Sequence, residues 1–354
     1  MEKFQKDFLI SLINELGPSG HEIKVQKIWK EEVSKFCKTI SNDPHGNLTA
    51  TLNPDADFSI MIVGHADEIG LIVNYISDEG YIYFQRVGGV DQSVLSAHKA
   101  RILTSNGIVE GIFGQKSLHQ EDGHNRKMPK MHEVYIDIGA KNKEEATKYV
   151  TVGDPVVFGN DYSDMLNNYA AARCFDNRIG IYIVAEVMRK LSKEKFSTKV
   201  YGVSSVQEET GVWGAGNAAY HLKPTLGIAL DVMPSTDVPD VMKEQFGDIK
   251  LGNGPVIRRG VVTNNFVCER MIQVAKDKNY KYQIDVENGR FGTDSDAIAK
   301  VRSGIPVGGM EIPTRYLHSS NEVLNLDDVD ICVDLLTDII LEFDKKKEDF
   351  NFKI

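Results

Sequence analysis

The chain has 354 residues, 42% of them apolar and 26% charged, a globular balance that excludes a disordered or collagen-like chain and a disulfide-stapled miniprotein. Lysines and arginines number 41 against 51 aspartates and glutamates, and the net charge of −10 excludes a surface built to neutralise nucleic-acid phosphates, favouring a small-molecule or peptide substrate. At roughly 100 to 200 residues per domain, the length predicts two domains or one large domain with an insertion.

Phe4, Phe8, Leu9, Leu12, Ile13 and Leu16 recur at helical spacing, and after the break Gly17-Pro18-Ser19-Gly20 a second helix is marked by Ile28, Trp29, Val33 and Phe36. The opening stretch is charged at positions 2, 3, 6 and 7 and has no small-residue cleavage site, so it predicts an amphipathic helix and no secretion signal. No run approaches the roughly 18 to 20 apolar residues that span a bilayer, so no membrane association is expected. From about Asn47 the pattern turns to strands and ends in Phe58-Ser59-Ile60-Met61-Ile62-Val63, apolar enough for burial on both faces.

Between Ile69 and Gly159 short strands follow one another without helical periodicity: Gly70 to Ile76, Tyr81 to Val87, Ala100 to Leu103, Ile108 to Phe113, Glu133 to Ile138 and Pro155 to Phe158. Alternation then resumes, with helices predicted over Asp176 to Leu191, Gly211 to Tyr220, Asn265 to Lys278, Asp294 to Val301 and Leu326 to Phe343. The intervening strands are Thr198 to Val206, Thr225 to Val232, Tyr282 to Val286 and Val307 to Glu311. The predicted fold class is therefore α/β, a sheet flanked by helices built from residues 1–68 and 163–354, with a small all-β domain of residues 69–162 inserted. Within the insertion, the polar loop Gln115 to Met131 has few apolar anchors and is expected to be loosely ordered in a free subunit.

Cys37, Cys174, Cys268 and Cys332 form no CxxC pair, which predicts buried reduced thiols in a cytoplasmic protein. The sequon Asn47-Leu48-Thr49 is then a chance match.

Ligands of open α/β sheets sit beyond the carboxyl ends of the strands, so the polar residues ending apolar runs are the ones to collect. They are His65 with Asp67 and Glu68, Glu208 with Glu209, Asp231, Asp176 at the start of a helix, and His318 after Gly308-Gly309-Met310. Two histidines and several carboxylates at one sheet edge make a mixed nitrogen and oxygen donor set suited to zinc, cobalt or manganese. Singly, each has an ordinary explanation: a hydrogen-bonding histidine, a solvated Glu-Glu loop, an aspartate that starts a turn or caps a helix.

Together, Gly64-His65-Ala66-Asp67-Glu68-Ile69-Gly70, Phe175-Asp176-Asn177-Arg178, Gln207-Glu208-Glu209-Thr210-Gly211, Leu230-Asp231-Val232, Gly292-Thr293-Asp294 and Pro313-Thr314-Arg315-Tyr316-Leu317-His318-Ser319 resemble, in order, the M42 family of dinuclear metallo-aminopeptidases. That group includes glutamyl aminopeptidases, the tetrahedral TET peptidases and proteins labelled cellulases. The likeness extends to Pro18-Ser19-Gly20-His21-Glu22 and Val152-Gly153-Asp154-Pro155, nearly the whole chain. It implies a zinc-peptidase-like mixed central sheet and two divalent metal ions per subunit, with Asp176 bridging, His65 and Asp231 completing one site, and Glu209 and His318 the other. It also implies Glu208 as general base, Asp67 as the carboxylate that orients its neighbours, peptide substrates, and homo-oligomers from dimer to dodecamer built through the β-rich insertion. Residue chemistry agrees: His65 and Asp67 lie two apart, on one side of an extended segment, where the carboxylate can fix the imidazole tautomer.

Two other functions use the same residues. Glu208, Glu209, Asp67 and Asp176 could supply the carboxylate pair of a glycoside hydrolase, which leaves His65 and His318 without a role and lacks an aromatic sugar groove, only Trp29 and Trp213 being present. A non-catalytic metal-bearing assembly protein would not need Glu208 and Asp67. Gly211-Val212-Trp213-Gly214-Ala215-Gly216 departs from a dinucleotide loop and follows two glutamates that would repel a pyrophosphate. His119, His124 and His132 fall in the insertion, His132 at the start of a strand, and are assigned solvated or inter-subunit roles. Arg315 is either a receptor for acidic substrates or half of a salt bridge near His318.

Overall fold

The computed structural model describes residues 1–117, 119, 128–289, 292–350 and 352. The chain opens with helices α1 (Lys3–Asn14) and α2 (Ile23–Val33) and strands β1 (Thr39–Asn42), β2 (Leu48–Leu52) and β3 (Ser59–His65). Strands β4 (Gly70–Ile76), β5 (Ile82–Val87), β6 (Lys99–Thr104), β7 (Gly107–Gly114) and β8 (Tyr135–Asp137), the turn of helix α3 (Lys143–Ala146) and β9 (Pro155–Phe158) follow. After β10 (Ser163–Asp164) and β11 (Tyr169–Ala172) come α4 (Phe175–Leu191), β12 (Lys199–Ser205), α5 (Trp213–Leu222), β13 (Leu226–Pro234), α6 (Lys243–Phe246) and β14 (Val256–Gly260). The chain continues through α7 (Asn265–Asp277), β15 (Gln283–Glu287), α8 (Asp294–Ala299), β16 (Val307–Thr314), β17 (Glu322–Asn325) and α9 (Leu326–Lys345).

Eight strands form one mixed sheet in the order β1-β2-β12-β3-β13-β16-β14-β15. Its centre is parallel: β3 runs with β12 and β13, and β13 with β16. Antiparallel pairs join β2 to β12 and β14 to β16. Side chains of β3 alternate between the two faces, as a strand period of two requires. Ile60 and Ile62 enter the larger core with α1, α2, α4, α7 and α9, while Met61 and Val63 enter a smaller one with α5 and α8. The sheet is thus the middle of three layers, with strand ends and loops gathered at its carboxyl edge.

Gly64 and Gly180 allow α4 to lie directly on the end of β3. A Cβ added at Gly64 would stand 2.6 Å from the carbonyl carbon of Gly180, so a larger residue would separate the helix from the strand that carries His65.

The inserted all-β segment closes into a barrel of order β4-β5-β8-β7-β6-β9 around its own core, including Leu71, Val73, Ile82, Ile102, Phe113, Ile136 and Val156. His132 does not begin a strand: Met131–Glu133 is a single 3-10 turn, which Glu133 closes by accepting the Lys130 N–H at 2.8 Å. The expectation of a loosely ordered Gln115 to Met131 loop falls largely on residues 118 and 120–127, outside those described. The four cysteines are buried and unpaired. Among the described residues no helix is long and apolar enough to cross a membrane.

Candidate active site

Five separate segments deliver the site. β3 ends in His65, which is 1% exposed, and the chain turns at once through Asp67, which is fully buried. Asp176 stands in the first turn of α4, where it and Asn177 depart from helical dihedral angles. Glu208 and Glu209 follow β12, Asp231 lies within β13 near its end, and His318 sits in the link between β16 and β17.

Asp176 faces both histidines. Its Oδ1 is 3.2 Å from His65 Nε2 and its Oδ2 is 3.1 Å from His318 Nε2. Around His65 Nε2 stand Glu208 Oε2 at 3.7 Å and Asp231 Oδ1 at 3.8 Å, while Glu209 Oε2 is 3.5 Å from His318 Nε2. Two groups, His65 with Glu208 and Asp231, and His65 with Asp176 and Glu209, each place their donor atoms within 4.8 Å of one another. The seven residues given catalytic or metal-binding roles by the resemblance therefore converge, while Glu68, collected with them, turns to Arg173 and Arg178; Glu208 lies as close to His65 as Asp231 does.

The second nitrogen of each imidazole is also engaged. His65 Nδ1 is 3.3 Å from Asp67 Oδ1 and 3.2 Å from the Asp67 carbonyl; His318 Nδ1 is 3.1 Å from the carbonyl of Gly89, in the segment after β5. With a proton held on Nδ1 by these carbonyl and carboxylate oxygens, each Nε2 is the nitrogen that would give up its proton to ligate a cation in the carboxylate cluster.

Five carboxylates crowded into a largely buried cluster cannot all carry charge unaided. Burial pushes Glu208 up to about 9, with Asp294 and Asp176 adding to the shift and His65 opposing it. Glu209 and Asp231 are held well above the usual carboxylate range by burial and by the charge on Asp176. Asp176 itself is brought below that range despite burial, by hydrogen bonds from His318 and His65. Glu208 Oε1 and Glu209 Oε1 are buried without a hydrogen-bond partner. Orphaned carboxylate oxygens beside two oriented imidazoles fit divalent cations, which would supply the missing charge and the missing partners.

Four further residues support the site, and of these Glu322 escaped the sequence analysis. Glu322 accepts the backbone N–H of Asp176 at 2.9 Å and of His318 at 3.2 Å, so one carboxylate ties together the two segments that face each other. Buried Asp294 accepts from Ser205 Oγ at 2.7 Å behind Glu208; its motif was visible, its place was not. Glu68 accepts from Arg173 Nε at 2.8 Å and Arg178 Nη2 at 3.1 Å, locking the segment after His65 to the start of α4. Arg315 makes two hydrogen bonds to Asp237, at 3.0 and 2.7 Å, and is thus half of a salt bridge. The cleft above the cluster, about 580 Å³, is also lined by Met233, Arg258 and Leu317.

A three-layer α/β sheet that gathers imidazoles and carboxylates at its carboxyl edge has the donor set suited to a metal-dependent hydrolase. More particularly, a sequence profile of the M42 glutamyl aminopeptidase family matches residues 46–335, and the chain belongs to that family. It is 34% identical over 338 residues to a putative aminopeptidase of Acetivibrio thermocellus, covering 94% of this chain and 98% of that one. The TET aminopeptidase of the marine archaeon Thaumarchaeota archaeon SCGC AB-539-E09 superposes with a TM-score of 0.93 at 31% identity, covering 98% and 99% of the two chains. The Pyrococcus horikoshii TET1 peptidase, which can assemble into a tetrahedron or a large octahedral shell, gives 0.86 at 29% identity, covering 96% and 99%.

Proposed function

We propose that the protein is an aminopeptidase that uses two divalent metal ions to release single residues from the N-termini of peptides. His65 and Asp231 would hold one ion, Glu209 and His318 the other, and Asp176 both. The observation that carries this is the Asp176 carboxylate, whose two oxygens face two different imidazoles. Zinc, cobalt or manganese suits the mixed donors, and such ions supply Lewis acidity toward a carbonyl and lower the pKa of water. Glu208, at the wall of the cleft, takes the proton of the attacking water and returns it to the leaving amine. Asp67 serves both partners: it orients His65 through Nδ1 and accepts the N–H groups of Glu208 and Glu209 at 3.0 and 3.1 Å.

Exhaustive chelation is expected to abolish release of chromogenic amines from aminoacyl substrates, and added zinc, cobalt or manganese to restore it. Hydrolysis that survives chelation would overturn this reading and return the carboxylates to a glycosidase-like role.

We also propose that the barrel, residues 69–162, is a separate domain for assembly. Its outer face exposes Ile108 and Ile112 and packs Tyr81 against Tyr135 in a tilted pair, 4.7 Å between ring centres. Light scattering is expected to give an oligomer at micromolar concentration, and a monomer throughout would remove this role. The four buried thiols suit a reducing compartment, and we place the enzyme in the cytoplasm.

A further inference from the structure

The segment that carries Glu208 and Glu209 leaves its strand with four successive backbone N–H groups each taken by a side chain from elsewhere. Asn47 Oδ1 accepts from Val206 at 3.1 Å, Glu22 Oε1 from Gln207 at 3.1 Å, and the two oxygens of Asp67 accept from Glu208 at 3.0 Å and Glu209 at 3.1 Å. Gln207 is the pivot: its φ of +57° is a left-handed conformation in a residue with a Cβ, which persists only where neighbours over-determine it.

Glu22 stands on the N-terminal side of this pivot. The same Oε1 accepts the N–H of Gly20 at 2.7 Å, and the side chain is 5% exposed. The turn that carries it is fastened to the active-site side, Ser19 N–H donating to the Glu68 carbonyl at 3.1 Å, with the Ser19 hydroxyl 3.1 Å from that of Thr210. Glu22 touches neither the catalytic cleft nor any of the five proposed metal ligands. It borders instead a second cavity of about 500 Å³, together with Gln26, His45 and Gln207, on the far side of the pivot.

We propose that Glu22 is a positioning residue for Glu208, holding Gln207 in its left-handed conformation so that Glu208 and Glu209 diverge toward different tasks. This rests on the assignment of Glu208 as proton carrier. Without the acceptor, the Gln207 N–H loses its partner, the pivot relaxes toward negative φ, and the peptide joining Gln207 to Glu208 rotates. The Glu208 N–H, which that peptide carries, is drawn off Asp67 Oδ1, while Asp67 Oδ2 still grips the Glu209 N–H, so the metal ligand stays while the base moves off line. An ångström of such misplacement costs on the order of 10- to 100-fold in rate.

The test compares Glu22→Ala with Glu22→Gln, whose amide oxygen keeps the acceptor without the charge. Glu22→Ala is expected to lower kcat by roughly 10- to 100-fold with KM and metal content per subunit unchanged, and Glu22→Gln to rescue most of that loss. In the metal-free protein, amide exchange at Gln207 and Glu208 is expected to rise in Glu22→Ala and not in Glu22→Gln, with Glu209 little changed. Should Glu22→Ala not fold, Glu22→Leu keeps the buried volume and takes its place. Unchanged kcat and exchange in the alanine variant, or failure of both alanine and leucine variants to fold, overturns the proposal. If Glu208→Gln retains full activity, the base assignment fails instead, and the exchange measurement still reports on the pivot.

Discussion

Glu208→Gln is expected to keep both metal ions and the native fold while losing turnover by roughly 100- to 10,000-fold, the range a positioned general base contributes. The amide cannot accept a proton from water or return one to the leaving amine, yet it fills the same space, and the backbone N–H to Asp67 is untouched. Glu209→Gln should differ. Glu209 Oε2 lies beside the His318 imidazole, so a neutral amide there removes an anionic donor and weakens one ion, and added metal restores part of the rate. The comparison matters because Glu208 itself lies within 4.8 Å of His65 and Asp231 donor atoms. Metal content per subunit, read with rates at low and saturating metal, separates the two glutamates. Loss of metal in Glu208→Gln with full occupancy in Glu209→Gln would exchange their roles.

The residues that end apolar strand runs were legible from the sequence because burial leaves a compositional mark. Phe58 to Val63 is apolar on both faces, and His65 stands out at its end. Residues whose role depends on pairing left no such mark. Glu322 reaches Asp176 because β17 pairs with β11, setting Ala172 opposite Glu322, and nothing local in the sequence announces that register. Strand β14, Val256–Gly260, is absent from the predicted strands for a related reason: its apolar run is only Val256-Ile257 before two arginines. Arg258 is accommodated because Asp285 on β15 and Glu311 on β16 flank it, at 2.5 and 3.4 Å.

Glu22 shows the limit most clearly. It belongs to a stretch quoted for its resemblance, but its hydrogen-bond partner Gln207 lies 185 residues away, and only the fold brings them together. The reverse error came from His132, where residues of high strand propensity around Val134 and Tyr135 extended a predicted strand into a 3-10 turn.

Gly89→Ala is expected to damage the metal site from the barrel side without disturbing the catalytic sheet. A Cβ at that position would lie 2.6 Å from His318 Nδ1 and 2.9 Å from Cε1, so the imidazole must rotate or withdraw. The same residue's carbonyl stands 3.1 Å from Nδ1 and sets which nitrogen faces Asp176 and Glu209, so the substitution disturbs ring position and tautomer together. Loss of a partner that orients a ligating histidine typically costs about 10- to 100-fold in metal affinity. Occupancy of one ion per subunit should therefore fall at limiting metal, with activity partly recovered at saturating metal and the melting temperature of the metal-free protein little changed. Because Gly89 leaves the barrel strand β5 while His318 follows the sheet strand β16, that result would mean the barrel completes the active site. Full occupancy at limiting metal in Gly89→Ala would show instead that His318 finds its place from the sheet and Glu322 alone.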